Sequence, residues 1–221
     1  MNYSLVIFDL DGTLVDSRRD IAVSVNHMLS CYGLPTLPLE TIETYVGSGA
    51  ENLVRGSMGE ASSRFDIPAA VKTFRAHYID HCLDNTRAFP GIAELLPWLK
   101  GKGIALAVVT NKPSSMTCRI LEGLGLRGYF DVLLGGDDVD VMKPDPGSAR
   151  LVFQKTGGRP ETTLMVGDSG IDVRFARAVG MKCVIVGYGG ISDAAEVKGA
   201  GADWVCETPA DLCELLDLLV K

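Results

Sequence analysis

The sequence predicts an α/β protein: a doubly wound parallel sheet with helices on both faces, and a helical segment inserted into the chain. Three observations carry this. Short apolar runs alternate with longer amphipathic stretches, the pattern of strand–helix–strand units. The first apolar run, Leu5–Phe8, ends in Asp9-Leu10-Asp11-Gly12-Thr13. Acids and then Gly at a strand's C-terminal end bring reactive groups to the rim where such sheets bind ligands. Between Phe8 and the next run near Ile104 lie about a hundred residues, far more than a crossover needs.

The strands expected after Leu5–Phe8 are Ile104–Thr110, Asp131–Leu134, Thr163–Val166, Cys183–Val186 and Trp204–Cys206. Within the long gap, Ile21, Val25, Met28 and Leu29 form one helical stripe, and Val71, Phe74 and Tyr78 another. The segment from Ser17 to Ala88 therefore reads as a helical insertion, with Phe89-Pro90-Gly91 marking the return. Placed directly after the acidic turn, it would sit over that turn as a lid does; a dimerising helical hairpin is the alternative. The expected division is 1–16 and 89–221 for the core, and 17–88 for the insertion. A helix starts near Ser114 and is stopped by Gly123 and Gly125. Asp145-Pro146 reads as an N-cap with Pro at the first helical position, and Thr208-Pro209-Ala210-Asp211 as a capping box.

The chain has 221 residues, 47% hydrophobic content and a net charge of −7. That supports a sizeable core, and no Lys/Arg cluster marks a nucleic-acid surface. No apolar run approaches membrane-spanning length. The six cysteines are scattered with no Cys-x-x-Cys, as reduced residues would be, and no secretory pattern precedes the first strand; a cytoplasmic setting is expected.

Asp9 and Asp11 can divide the work of metal ligand, nucleophile and proton carrier. A solvated turn or a calcium loop would also use Asp-x-Asp-Gly, but Leu14 and Val15 follow where a calcium loop needs further oxygens. Thr110-Asn111 ends the second sheet strand and offers a hydroxyl and backbone N–H groups to an anion. Lys143 follows Asp137, Asp138 and Asp140; a fixed cation beside acids would screen their repulsion and grip a phosphate. Asp168 is expected at another strand tip, with Asp172 four residues on and available as a helix cap. Parallel strands place the Asp9 and Asp168 tips together, and a divalent cation would relieve their repulsion. All-oxygen ligation favours magnesium over zinc. His77 and His81 are spaced i, i+4 but lack an evident third ligand, and read as a solvated or lid-surface pair. Trp98 and Trp204 read as packing residues, and Gly199-Ala200-Gly201-Ala202 as a loop.

Asp9-Leu10-Asp11-Gly12-Thr13, Thr110-Asn111, Lys143-Pro144 and Gly167-Asp168-Ser169 with Asp172 resemble the four motifs of the haloacid dehalogenase superfamily. They stand in that family's order and span nearly the whole chain. Thr110-Asn111-Lys112-Pro113, Phe130-Asp131 and Gly135-Gly136-Asp137, with the insertion, are similar to phosphoglycolate phosphatases within it. The resemblance implies a Rossmann-like core with a helical cap, and Mg²⁺-dependent hydrolysis of a small phosphate monoester such as 2-phosphoglycolate. It implies Asp9 as nucleophile forming an aspartyl phosphate, and Asp11 as acid and then base. Mg²⁺ would be held by the Asp9 carboxylate, the Asp11 backbone carbonyl and Asp168, with Asp172 orienting it. Thr110, Asn111 and Lys143 would hold the phosphoryl group.

Substrate choice would then lie in the cap, where Ser48 and Gly49 offer backbone N–H groups and Arg55 could meet a substrate carboxylate or, equally, be a surface charge of its helix. A phosphomutase of the β-phosphoglucomutase type and a phosphatase of a sugar phosphate, nucleotide or pyrophosphate are the alternatives. A carbon–halogen hydrolase would need neither Asp11 nor Asp168, and an intact motif set argues against an inactive binding scaffold. The expected partner is a small phosphate ester, with no nucleic acid and no membrane, and the protein is expected to be a monomer or homodimer.

Overall fold

The computed structural model describes residues 3–189 and 201–220. Six parallel strands form the main sheet: β1 (Leu5–Phe8), β4 (Ala105–Val109), β5 (Val132–Leu134), β6 (Thr163–Gly167), β7 (Lys182–Val186) and β8 (Trp204–Cys206). Their order is β5-β4-β1-β6-β7-β8. That is the doubly wound Rossmann-like order, with the direction of winding reversing at β1. Each expected strand is present with its ends moved by a residue or so.

Both faces of the sheet are covered, so its strands are apolar throughout. Val6 and Phe8 of β1 pack into one core with Leu96 of α5 (Ile92–Gly101), Ile120 of α6 (Ser114–Gly123) and Leu212 and Leu216 of α9 (Pro209–Leu219). Leu5 and Ile7 pack into the other with Val152 of α7 (Gly147–Thr156) and Phe175 of α8 (Gly170–Val179).

The long gap holds helices α1 (Arg18–Cys31), α2 (Leu39–Glu43), α3 (Ala50–Met58) and α4 (Ile67–His81). Val25, Met28 and Leu29 of α1 and Phe74 and Tyr78 of α4 are buried together. The segment is bracketed by a two-stranded antiparallel ribbon, β2 (Val15–Asp16) with β3 (Arg87–Ala88), which is too short to read from the sequence. Asp20, at the start of α1, closes the same end beside the ribbon. Its buried carboxylate accepts hydrogen bonds from the Asn85 and Thr86 backbone N–H groups and from both side chains, at 2.8–3.0 Å. Burial acts to raise its pKa, but these donors leave it below the usual value.

Two start signals differ in detail. Thr208 and Asp211 make the expected capping box on α9. At α7, Pro146 is itself the N-cap and the helix begins at Gly147, whose N–H donates to the Asp145 carboxylate at 2.8 Å. The acid still caps, one residue further out than expected. Gly199 and Ala200 of the expected loop lie outside the described residues.

Candidate active site

The reversal of winding at β1 sets the site. β1 pairs with β4 on one side and β6 on the other, with Phe8 opposite Val108 and Val166. The residues leaving those strands, Asp9, Thr110 and Asp168, therefore emerge side by side at the C-terminal rim. The Asp9 N–H donates to the Val166 carbonyl at 2.9 Å, carrying the ladder one residue past β1. The chain then turns sharply: Gly12 has φ 78°, and the Leu10 carbonyl accepts from the Thr13, Leu14 and Val15 N–H groups.

Asp9, Asp168 and Asp172 are 8%, 4% and 1% exposed. One carboxylate oxygen of each lies within 4.8 Å of the others. At that spacing each ionised pair repels by about 3 kcal/mol at an effective dielectric of ~20. Lys143 is the counter-charge: its Nζ donates to Asp9 Oδ1 at 2.9 Å and to Asp172 Oδ1 at 2.7 Å. The other oxygen of Asp172 accepts from the Ser169 N–H at 3.1 Å and hydroxyl at 2.8 Å. Asp172 is thus both the capping-box acid at the third residue of α8, in its first turn, and a member of the cluster. Gly167 leaves room for it, since a Cβ there would meet the Asp172 carboxylate.

Three carboxylates share one ammonium, and Asp168 Oδ2 is buried without a partner. Burial, then the Asp172 and Asp9 charges, push the Asp168 pKa well above the usual carboxylate range. Burial also raises Asp9, with Lys143 opposing, to about 6. An orphaned acid oxygen facing two others is an all-oxygen donor set with spare negative charge. It fits a hard divalent cation such as Mg²⁺. The Asp11 carboxylate is not in this cluster, which leaves its backbone carbonyl as the group the resemblance assigns to the metal.

The Asp11 side chain is held elsewhere. Lys112 Nζ donates to its two oxygens at 2.8 and 2.9 Å and to the Tyr78 hydroxyl at 2.7 Å, and the Ser17 hydroxyl donates to Asp11 Oδ1. Burial acts to lower the Lys112 pKa, but Asp11 and Tyr78 more than reverse it. The sequence offered Lys112 only as part of the Thr-Asn-Lys-Pro match and Tyr78 only as an apolar stripe residue. A Lys directly after the strand-end Thr-Asn was the available signal.

Thr110 is buried, and its Oγ1 accepts from the Lys112 N–H at 3.3 Å. Asn111 reaches outward: its Nδ2 donates to the carbonyls of Gly47 at 3.0 Å and Lys143 at 3.1 Å. It ties the helical segment to the core. Lys143 screens Asp9 and Asp172 rather than its chain neighbours. Asp137 instead accepts from the Ser114 N–H at 2.7 Å, and Asp138 from the Gly135 N–H at 2.8 Å.

A cleft of about 520 Å³, counted to its open mouth, lies over Asp9 and Asp11. Thr110, Asn111, Lys112 and Met116 form its core wall; Val46, Gly47, Gly49, Leu53, Phe74 and Tyr78 form the opposite one. Gly49 is on the cap-side wall. Ser48 is not on the wall; its carbonyl accepts from Asn52 Nδ2 at the start of α3. Arg55 is also off the wall: its side chain is 51% exposed and pairs with Glu51 at 2.8 Å, a helical i, i+4 contact. His77 and His81 are not merely solvated. They stack with each other at 4.2 Å, and His77 stacks on His27 at 4.1 Å, so all three histidines form one column.

A sequence model of haloacid dehalogenase-like hydrolases matches residues 6–186, which include Asp9, Thr110, Lys143 and Asp168. Phosphoglycolate phosphatase 1 of Pseudomonas aeruginosa is 38% identical over 191 residues, covering 84% of this chain and 70% of its own. The phosphoglycolate phosphatase of Aquifex aeolicus is 32% identical over 213 residues, covering 96% of each. Among solved structures, a Haemophilus somnus protein described as a predicted phosphoglycolate phosphatase matches with TM-score 0.88 at 30% identity, over 97% of this chain and 98% of that one. With the sheet order, the acid cluster at its switch point and these likenesses together, the chain belongs to the haloacid dehalogenase-like hydrolase family.

Proposed function

We propose that the protein is a Mg²⁺-dependent phosphatase of a small phosphate monoester, 2-phosphoglycolate, acting through an aspartyl phosphate on Asp9. The observation that carries this is the buried Asp9–Asp168–Asp172 cluster with Lys143 inside it. The names of the relatives support the substrate.

Asp9 attacks phosphorus as the bond to the leaving alcohol breaks, and Asp11 donates the proton that alcohol needs. Asp11 then takes a proton from the water that attacks the phosphoaspartate, and Asp9 is released. Asp9, the Asp11 carbonyl and Asp168 would hold Mg²⁺, which would supply charge neutralisation for an anion approaching an anion. Lys143 and the Thr110 hydroxyl hold the equatorial oxygens, and Asp172 keeps Lys143 in place. Helices α1–α4 act as a cap whose apolar wall excludes bulk water from the phosphoenzyme.

The test is phosphate release across a panel of phosphate esters with and without Mg²⁺, with Asp9→Asn as the blank. Mg²⁺-dependent turnover led by phosphoglycolate is expected. A preference for large nucleotides over two- and three-carbon acids would overturn the substrate assignment.

A further inference from the structure

A two-carbon phosphorylated acid carries two anions, and the phosphoryl-binding groups answer only one. The cap side of the cleft presents Val46, Leu53, Phe74 and the Tyr78 hydroxyl, with backbone at Gly47 and Gly49, and no charged side chain. Arg55, the cap cation considered for a substrate carboxylate, pairs with Glu51 away from the cleft wall. Among the described residues lining the cleft, Lys112 is the one cationic side chain. Its side chain is 6% exposed, and its Nζ sits between Asp11 of the core and Tyr78 of the cap.

A buried ammonium is costly unless an anion meets it, and here the anion is Asp11. An ammonium has three N–H donors, and Lys112 spends two on Asp11 and one on Tyr78. A carboxylate entering the cleft from the cap side can take over one of these donors without leaving the charge unpaired. An uncharged hydroxyl there would not repay the desolvation of that charge. Building on the phosphatase reading above, we propose that Lys112, positioned by Tyr78, is the specificity-determining residue that binds the substrate's carboxylate, and that it selects phosphorylated short-chain hydroxy acids over neutral phosphate esters.

The experiment compares kcat/KM for 2-phosphoglycolate with that for 2-hydroxyethyl phosphate, which replaces the carboxylate by a neutral group. The wild-type protein should prefer the acid by at least about 100-fold, the range of a close charge pair. Lys112→Met should lower kcat for both esters alike through Asp11 and, beyond that shared loss, collapse the preference to within about tenfold through KM for the acid; Lys112→Arg should restore part of the preference. Tyr78→Phe keeps the ring and removes the hydroxyl, and should lower the preference several-fold even where Lys112→Met does not fold. If both substrates lose rate in parallel in the variants and the preference is unchanged, Lys112 serves only to hold Asp11 and the assignment is overturned. A wild-type protein that hydrolyses the neutral ester but not the acid remains a phosphatase and overturns the carboxylate-binding role of Lys112, whereas one that hydrolyses neither overturns the 2-phosphoglycolate phosphatase reading instead.

Discussion

Asp168 illustrates how a side chain can be costly to the empty fold and necessary to the working one. Its Oδ2 is buried with no donor, beside two other carboxylates. Asp168→Asn removes that unpaired charge at nearly constant volume. In metal-free buffer it should raise the thermal midpoint by about 3 °C or more, because an uncompensated buried polar group costs at least ~1 kcal/mol. The same substitution should weaken Mg²⁺ binding at least about tenfold, read by titration. A lower midpoint without metal would show that Asp168 is already satisfied. Asp9→Asn should leave the fold intact, by circular dichroism, while turnover drops at least about 10³-fold.

At the scale of elements, the helical segment depends on a few contacts at its base. Asp20 joins the first turn of α1 to Asn85 and Thr86 just before β3. Asp20→Ala strands two backbone donors and should cost about 3 kcal/mol in urea denaturation. The histidine column spans α1 and α4. His77 faces His27 and His81, donates to or accepts from Ser24, and lies near Asp80 and Asp84. Burial first, then the two neighbouring imidazoles, lower its pKa below the unfolded value of 6.5. The unfolded chain therefore takes up the proton first. The stability due to neutral His77 is complete above pH 6.5 and is lost as pH falls through the lower folded value. His77→Gln should flatten the fall in thermal midpoint between pH 7 and about 5. An unchanged slope would place the pH response elsewhere.

For the whole molecule, the cluster links metal binding to folding. Mg²⁺ at about a hundred times its dissociation constant should stabilise the protein by about 2.7 kcal/mol and raise the midpoint by about 5–10 °C. Asp168→Asn should abolish most of that shift. The sequence by itself determined the α/β class, the six strands of the main sheet and the helical character of the long gap, because these rest on periodicity and local turn chemistry; the four motif segments stood out as a set through their resemblance to a family. His27 beside His77, Lys112 beside Tyr78 and Asp20 beside Asn85 needed the fold, since each pair lies dozens of residues apart. Arg55 stayed open at the sequence level for the complementary reason: helical spacing alone leaves open which way a charged side chain faces. Only the tertiary structure decided which ammonium answers which carboxylate, because that depends on strands from opposite halves of the chain meeting beside β1 in a site with little water to screen them.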